Sequence, residues 1–529
     1  MRPLLEWLDR PTADHGIRFA RGDADWEFWP YERLAELVSR AAAGLLAAGV
    51  QEREVVSLVQ RSGPEFVAVL FGTMAAGATP SLAAPPMRFQ GKAGYIGHLE
   101  NVLTAARPSL IVTEPELVPE LGGLTRSLPG PRVIAAGELI RAGTRRAGLR
   151  PQAPLALLQF TSGSTRQPRG VRVPFGALEA NVLAIQRWLE MADGDSTASW
   201  LPVHHDMGLI GCLLTPVCSQ TDLWLLSPEQ FIKRPRRYLH CLGALGATLT
   251  AMPGFGLDYI VRRVRPEALA GLDFSRWRAV IVGAERIHPG TLERFHDLCA
   301  PFGLRRSALL PAYGLAEASL AVTGLPLGEE WTCSPGPHGD PVVGCGRPLL
   351  GMSVEIVEQD GRSAEDGAPG EIVVGGPSVA AGYAGPPAAG LGTAFAGDAL
   401  RTGDAGFISA DQLFVLGRLG DGVKVRGRMV FAEDLEAAIV SCGVPAHRVV
   451  VLAGIADGTP TVVALIERAA HDWLARARAV LPRRAEGARV IVLGVSRGAI
   501  VKTSSGKPQR ARLWRALLRG NLDSGAGEP

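Results

Sequence analysis

Lysine is scarce in this sequence of 529 residues: only five residues are lysines, whereas fifty are arginines. The two residues are not interchangeable, because lysine is a compact point charge and arginine a planar fork of donors. Each lysine is therefore a candidate for a role that arginine does not fill. The five are Lys92, Lys233, Lys424, Lys502 and Lys507.

Cysteines and long apolar stretches are also limited. The seven cysteines are scattered and contain no C-x-x-C pair, which argues against a disulfide framework and against a zinc site. The longest uncharged run, residues 66–87, is interrupted by Gly and Pro, which favours a buried helix, a strand and a turn over a membrane span. Glu6 and Asp9 interrupt the segment where a signal peptide would be apolar. We therefore expect a cytoplasmic protein without stable membrane insertion.

Charge also narrows the choice of partners. The chain lacks the interleaved aromatic and basic residues that bind nucleic acid, so we expect no nucleic-acid partner. Net charge is only +3, but from Gly417 onward 18 Lys and Arg stand against 10 Asp and Glu. This basic segment suits an acidic partner, such as a carrier protein or a nucleotide, and it is equally typical of an ordinary solvated surface.

The length predicts two or more domains, because it exceeds the usual size of one hydrophobic core. Apolar residues recur at helical spacing over residues 31–48, and a short apolar run follows at 55–59. The same alternation of helix and strand continues to residue 282, with further strands predicted at 109–113, 155–160, 223–226, 247–251 and 279–282. It predicts an α/β fold, built from two α/β subdomains with mostly parallel sheets.

The amino-acid composition of the sequence changes after about residue 324. Gly and Pro become frequent, and short β-prone runs predict a small β-rich subdomain over about 325–416. The final segment alternates two helical patterns, 432–441 and 470–480, with three strand patterns. We therefore predict a large domain at 1–416, a hinge at 417–421 and a small mobile α+β domain at 422–529.

The stretch FTSGSTRQPRG, residues 160–170, directly follows a predicted strand. Ligands of α/β sheets bind at the carboxyl ends of strands. Four hydroxyls, free backbone N–H groups and two arginines suit an anion, so phosphate is the predicted occupant. No GKS or GKT follows, which excludes a Walker loop, and no G-x-S-x-G elbow makes Ser162 a nucleophile. The loop alone leaves a solvated Ser/Thr turn as the alternative.

Four more segments accompany this loop. They read AYGLAEASL (312–320), RTGD (401–404), GRLGDGVKVRG (417–427) and KTSSGKPQR (502–510). Together with the loop, they resemble the motifs of the adenylate-forming enzymes for phosphate, for adenine and magnesium, for ribose, for the hinge and for the catalytic lysine. Segments 199–211, 225–239 and 261–285 are similar, within that superfamily, to the fatty acyl-AMP ligases. The resemblance covers essentially the whole chain.

The resemblance implies ATP as substrate, Mg²⁺ as the metal and a set of nucleotide-binding residues. Adenylation brings a carboxylate to an α-phosphate while pyrophosphate leaves, so two anions must be neutralised. Glu317 would bind Mg²⁺, because hard cations take carboxylate oxygens. Residues expected to hold the β- and γ-phosphates are Thr161, Ser162, Gly163, Ser164, Thr165 and Arg169, the last of which replaces the usual lysine.

The nucleoside would be held by residues of the later motifs. Tyr313 would stack on adenine, and Gly314 would allow close approach. Asp404 would accept hydrogen bonds from the ribose hydroxyls, with Arg418 assisting. The other side of the adenine would be lined by Gly283, Ala284 and Glu285.

Two further residues are implied for the chemistry. Lys507 would stabilise charge at the carboxylate and the α-phosphate, which requires the small domain to close about the hinge. His205 would border the carboxylate end of the acyl pocket. Apolar residues at 207–214 and 255–260 would line that pocket, or would be ordinary core.

The chain departs from the fatty acyl-AMP ligase pattern at several positions. Residues 320–342 are shorter than the insertion that opposes use of coenzyme A in those ligases. Gly420 replaces the usual Asp or Lys of the hinge, and Gly254, Val282 and His204 replace two Asn and an aromatic residue. We expect these changes to lie near the pocket and to reflect an unusual or short acyl group.

The predicted function is ATP-dependent activation of a carboxylic acid to acyl-AMP, followed by acyl transfer to the phosphopantetheine thiol of a carrier protein. Two alternatives stay open: an acyl-CoA synthetase, favoured by the short insertion, and an enzyme that activates amino or aryl acids. The second lacks an obvious acidic anchor for an ammonium group, apart from Asp206.

Overall fold

Two large sheets, one smaller sheet and a separate small domain make up the structure, a computed structural model. It describes residues 3–86, 92–124, 131–143, 153–161, 168–337, 339–358, 360–385, 392–397, 399–426, 428–502, 508–520 and 522. The helices are α1 (Tyr31–Ala47), α2 (Pro64–Ala75), α3 (Lys92–Ala106), α4 (Val118–Leu124), α5 (Ala136–Ala142), α6 (Phe175–Trp188), α7 (Thr215–Ser219), α8 (Pro228–Lys233), α9 (Pro235–Gly243), α10 (Gly254–Arg263), α11 (Pro289–Cys299), α12 (Ala432–Ser441), α13 (His471–Arg484) and α14 (Arg510–Leu518).

The strands are numbered along the chain. They are β1 (Gly16–Arg21), β2 (Asp25–Pro30), β3 (Val55–Val59), β4 (Thr79–Leu82), β5 (Leu110–Thr113), β6 (Arg132–Ala135), β7 (Leu155–Thr161), β8 (Arg169–Pro174), β9 (Ser196–Ser199), β10 (Asp222–Leu225), β11 (Leu249–Met252), β12 (Ala279–Val282), β13 (Leu309–Gly314), β14 (Ala321–Gly324), β15 (Cys333–Pro335), β16 (Pro341–Val343), β17 (Arg347–Pro348), β18 (Ser353–Val357), β19 (Gly370–Gly375), β20 (Tyr383–Ala384), β21 (Ala394–Ala396), β22 (Ala399–Ser409), β23 (Gln412–Arg418), β24 (Gly422–Val425), β25 (Arg428–Phe431), β26 (Val449–Ala456), β27 (Thr459–Glu467) and β28 (Arg489–Val495).

The two large sheets are mostly parallel, as predicted. The first has the order β20-β8-β7-β4-β3-β5-β6, in which β7 to β6 run parallel and β8 and β20 are antiparallel. The second has the order β17-β14-β13-β12-β11-β9-β10-β1-β2, and its six strands from β13 to β1 are parallel. The predicted α/β class is therefore confirmed.

Helices cover these sheets because one face of each helix is apolar. In α1, Leu34, Val38 and Leu45 recur at helical spacing and are fully or almost fully buried. Helix α2 crosses α1 so closely that a Cβ at Gly72 would lie 2.8 Å from the Cβ of Ala41. None of the helices described here is long and apolar enough to cross a bilayer.

The β-rich part forms a five-stranded sheet of β18, β19, β22, β21 and β23, which ends at Arg418. Beyond it, β24 pairs with β25, and β26, β27 and β28 form a three-stranded sheet with its own apolar core. Within the described residues, strands β24 to β28 pair only with one another. We therefore keep the proposed division into a large domain, a hinge at 417–421 and a small domain.

Candidate active site

A cavity of about 900 Å³ lies at the carboxyl ends of β7, β9, β11, β12 and β13, and residues of the small domain form part of its wall. This is the edge at which parallel sheets bind ligands. Ser162, Gly163, Ser164, Thr165 and Lys507 lie outside the described residues. The described residues predicted for the site all line the cavity: Thr161, Arg169, His205, Gly283, Ala284, Glu285, Tyr313, Gly314, Glu317, Asp404 and Arg418.

One cluster in the cavity joins β13 to the β-rich sheet. The hydroxyl of Tyr313 donates a hydrogen bond to Oδ2 of Asp404 at 2.8 Å, and Nε of Arg418 lies 3.1 Å from Oδ1. Asp404 faces Arg418 across the β22 and β23 pair, so the register of this hairpin builds the ion pair. The Asp404 carboxylate raises the pKa of Arg418 above its usual value, which keeps the guanidinium charged. Both carboxylate oxygens retain lone pairs for further donors.

A second cluster surrounds Glu317, in the short turn that follows β13. Its side chain is only 6 % exposed, and Oε1 accepts a hydrogen bond from the Tyr383 hydroxyl at 2.5 Å. Burial, followed by the Glu317 carboxylate, raises the pKa of Tyr383, so the phenol stays protonated and donates. Strand β20 pairs Tyr383 with Val171 of β8, which brings the β-rich part onto the first large sheet.

Arg169 lies beside this second cluster. Its guanidinium carbon is 4.7 Å from the centre of the Tyr383 ring, and β8 places it opposite Thr161 at the end of β7. The buried Nε of Arg169 has no hydrogen-bond partner among the described residues. A buried guanidinium N–H without a partner is costly, and a phosphate oxygen would satisfy it.

The turn after β12 carries the predicted adenine-binding residues. Ala284 adopts a φ of 70°, a left-handed conformation that non-glycine residues seldom adopt and that often marks functional sites. Oε1 of Glu285 accepts a hydrogen bond from the backbone N–H of Phe255 at 2.8 Å. This bond ties the turn to the start of α10.

The segment that follows β9 places His205 on the cavity wall. The chain turns sharply there, since a Cβ at Gly208 would lie 2.3 Å from the carbonyl oxygen of Pro202. The rings of His204 and His205 are 4.6 Å apart, and Nε2 of Gln159 donates to the carbonyl of His204 at 2.8 Å. Burial lowers the pKa of His204 well below its usual value, so its imidazole is neutral.

Asp206 lies in the same segment, next to His205. Its Oδ1 accepts the N–H of Met207 at 2.8 Å, at the start of a π-helical segment over Met207–Leu214 that continues into α7. The side chain caps the start of this segment and also lines the cavity.

An apolar wall extends the cavity beneath His205. Trp200 stacks on Phe231 with ring centres 4.0 Å apart, and Phe255 packs edge-on against Trp200. Of the segments predicted to line an acyl pocket, Met207, Gly208, Gly211, Cys212, Phe255 and Asp258 are on the wall. Apolar residues that the sequence analysis did not identify complete it: Ile185, Trp188, Leu189, Met191, Trp200, Leu249, Ala251 and Ile281.

Three substitutions noted in the sequence occupy different positions relative to the cavity. Gly254 lines it, whereas Val282 is fully buried and, like His204, is not on the cavity wall. Alternation along β12 accounts for this, because Ile281 and Gly283 face the cavity on either side of Val282. Only Gly254 therefore changes the cavity surface directly.

Comparison with known proteins agrees with this geometry. Residues 9–384 match the family model described as AMP-binding enzyme. The chain is 31% identical to a candidate acyl-CoA synthetase of Caulobacter vibrioides, over 98% of this chain and 97% of the relative. It is also 31% identical to the medium-chain-fatty-acid--[acyl-carrier-protein] ligase JamA of Moorena producens, over 95% and 92%. A structure from a study of fatty acyl-adenylate ligases of E. coli and L. pneumophila superposes with a TM-score of 0.87 at 27% identity, over 98% and 97%.

Proposed function

This chain belongs to the AMP-binding enzyme family, and we propose that it uses ATP to convert a carboxylic acid of the fatty or a related acyl class to acyl-AMP. A thiol of a carrier-protein phosphopantetheine would then receive the acyl group. The observation that carries this proposal is the single cavity in which a nucleoside-binding cluster, a phosphate-binding cluster and an apolar wall meet.

The first step forms a bond between a carboxylate oxygen and the α-phosphorus, and breaks the bond from that phosphorus to pyrophosphate. In this proposal, Asp404 and Arg418 hold the ribose, and Tyr313 packs on the adenine while its hydroxyl fixes Asp404. Positioning reduces the barrier because the two reactants are already oriented.

The phosphates would be held by Thr161 and Arg169, together with the loop that follows β7. The buried Nε of Arg169, which has no hydrogen-bond partner in the described part of the chain, supports this assignment. Donors aimed at the leaving pyrophosphate stabilise the charge that develops there.

Glu317 has the surroundings expected of a Mg²⁺ ligand. The Tyr383 hydroxyl occupies Oε1, and Oε2 accepts no hydrogen bond from the described residues. A single carboxylate oxygen together with substrate phosphates is a usual ligand set for this ion. When bound, Mg²⁺ would neutralise phosphate charge.

In the second step, a thiol attacks the acyl carbonyl, a C–S bond forms, and the C–O bond to AMP breaks. Relatives support a carrier protein as the source of this thiol, because JamA is named for an acyl carrier protein. The alternative, transfer to coenzyme A, is favoured by the short segment 320–342 and by the relative from Caulobacter vibrioides.

Activation of amino acids is the other alternative. Such an enzyme requires a carboxylate for the substrate ammonium group. Asp206, the candidate in the sequence, lines the cavity, and its Oδ1 accepts the N–H of Met207 at 2.8 Å.

The test is mass spectrometry of reactions with Mg-ATP and a panel of short, long, hydroxy, amino and aromatic acids, each with and without coenzyme A. We expect acyl-AMP from one acyl class, persisting when coenzyme A is present. Accumulation of acyl-CoA would move the enzyme to the synthetases. Absence of acyl-AMP with every acid would overturn the proposal.

A further inference from the structure

The turn that carries Glu317 has a backbone conformation that is unusual for a residue other than glycine. Ser319 adopts a φ of 62° and a ψ of −65°, and the N–H of Leu320 donates to the carbonyl of Ala318 at 2.8 Å. This three-residue arrangement is a γ-turn of the rare and strained form. Such strain persists only where neighbouring groups hold the backbone, and it often occurs at functional sites.

The turn folds back against the end of β13. The carbonyl of Leu320 accepts the N–H of Leu315 at 2.9 Å. A Cβ at Gly314 would lie only 1.9 Å from the same carbonyl oxygen, so the turn requires a residue without a side chain at this position. Glu317 lies inside this loop, between Leu315 and Leu320. The position of its carboxylate therefore depends on the contacts that keep the loop closed.

Asn181, in the middle of α6, holds the turn from the helix side. Its Nδ2 donates to the carbonyl of Ala321 at 2.8 Å, and its Oδ1 accepts the N–H of the same residue at 3.1 Å. Nδ2 also lies 3.4 Å from the carbonyl of Ala318. Asn181 is completely buried within an otherwise apolar face of α6. An apolar residue would be sufficient there if the position only packed the helix on the core, because a buried amide is costly unless it is hydrogen-bonded.

The β-rich part of the large domain holds the turn from the other side. The hydroxyl of Ser319 donates to the carbonyl of Ser378 at 2.8 Å, and the N–H of Ala380 donates to the carbonyl of Glu317 at 2.8 Å. Ser319 and Ser378 are both completely buried. The turn is therefore fixed between α6 and the segment that leads to Tyr383, whose hydroxyl contacts the Glu317 carboxylate.

We propose that Asn181 and Ser319 are positioning residues for Mg²⁺, because they hold the strained turn in the conformation that presents the Glu317 carboxylate to the cavity. Neither residue lines the cavity, so both act through Glu317. The inference rests on the proposed function, in which Glu317 binds Mg²⁺ beside the phosphates. A ligand that is already oriented loses little conformational freedom when the metal binds, so the groups that orient it contribute to metal affinity.

The test compares the binding of α,β-methylene ATP with Mg²⁺ and with EDTA, measured by calorimetric titration. The methylene group replaces the oxygen of the bond that adenylation would break, so no reaction occurs. In Asn181→Leu and in Ser319→Ala, binding with Mg²⁺ should weaken at least about tenfold, the usual effect of losing a group that orients a metal ligand. Binding with EDTA should be retained, because neither variant changes the groups proposed to hold the ribose.

Thr113→Val is the control for loss of a buried hydroxyl. Thr113 is also completely buried, donates to the carbonyl of Val59 at 2.8 Å and is not on the cavity wall, so this variant should keep both affinities. General damage to the fold would weaken binding with Mg²⁺ and with EDTA alike. That result in Asn181→Leu and Ser319→Ala would overturn the positioning role, and so would unchanged binding with Mg²⁺. If Asn181→Leu does not fold, Ser319→Ala decides alone.

Glu317→Gln distinguishes a failure of this inference from a failure of the proposed function. If Glu317→Gln weakens binding with Mg²⁺ while Asn181→Leu and Ser319→Ala do not, only the positioning role is wrong. If Glu317→Gln binds the Mg²⁺ complex as tightly as the wild type does, Glu317 is not the metal ligand. The metal assignment in the proposed function and the positioning role are then both overturned.

Discussion

Arg286 of the large domain forms an ion pair with Asp434 of the small domain, and both side chains are almost completely buried. Arg286 also donates to the carbonyl of Leu416, directly before the hinge, at 3.1 Å. A second pair across the same boundary, Arg484 with Asp340, is more exposed. Two ion pairs, one buried and one more exposed, therefore hold the small domain over the cavity.

Replacement of Arg286 by Met should release the small domain. Loss of one partner from a buried pair leaves an unpaired charge and costs about 3–5 kcal/mol. The side chains of Arg484 and Asp340 are 34% and 23% exposed, so loss of this pair should cost less. We expect faster proteolysis at 417–421 in Arg286→Met and little change in the control Arg484→Met. Equal rates in the two variants would show that the buried pair does not hold the domains together.

Lys507 lies outside the described residues, and its role is predicted from the KTSSGKPQR motif. Removal of a charge that acts in the transition state should reduce adenylate formation by about 10²–10³-fold. Lys507→Ala should therefore lose turnover while ATP binding is largely retained, as measured by pyrophosphate release and nucleotide titration. Lys233→Ala is the control, since Lys233 pairs with Asp23 on the surface, 3.2 Å away. Unchanged turnover in Lys507→Ala would refute the mechanism.

Tyr383→Phe should weaken the binding of Mg-ATP. The variant keeps the ring beside Arg169 but removes the hydrogen bond that orients Glu317. A hydrogen bond to a charged group contributes about 1.5–3 kcal/mol, so the KM for Mg-ATP should rise about tenfold or more. Tyr95→Phe, which loses a hydrogen bond to the carbonyl of Ala84 and is not on the cavity wall, is the matched control. A KM that does not change would mean that Tyr383 does not position Glu317.

Local sequence patterns were sufficient to predict much of the fold. The helical spacing in residues 31–48 and the apolar run at 55–59 correspond to α1 and β3, because burial imposes these periods wherever the chain folds. The hairpin of β1 and β2 was not predicted. It joins the second sheet through a parallel pairing of Ile17 with Leu223, and no local pattern encodes a partner two hundred residues away.

The same limit applies to the site. Motifs identified Glu317, Asp404 and Tyr313, but not Tyr383, which reaches Glu317 only because β20 pairs with β8. The direction of side chains could not be predicted from the sequence either. Val282 was expected near the pocket, yet the alternation along β12 points its side chain into the core. Contacts that depend on strand pairing and register therefore required the structure.

His288 should make the stability of the enzyme depend on pH. It occupies the N-cap position of α11, and burial, followed by the nearby charge of Arg286, lowers its pKa from 6.5 to about 4; Asp258 opposes this shift and Arg294 adds to it. The unfolded chain therefore binds a proton that the folded protein excludes at intermediate pH. The stabilisation is complete above about pH 6.5 and is lost as the pH falls toward 4.

Between pH 7.5 and pH 5, this one histidine should reduce the free energy of unfolding by about 2 kcal/mol. His288→Asn tests this, because asparagine is a preferred N-cap residue and does not titrate. Calorimetric melting at the two pH values should show a smaller decrease in Tm for the variant than for the wild type. Equal decreases would mean that His288 is already protonated in the folded enzyme at pH 5. The attraction between Asp258 and the imidazolium would then outweigh the repulsion by Arg286 at the start of α11.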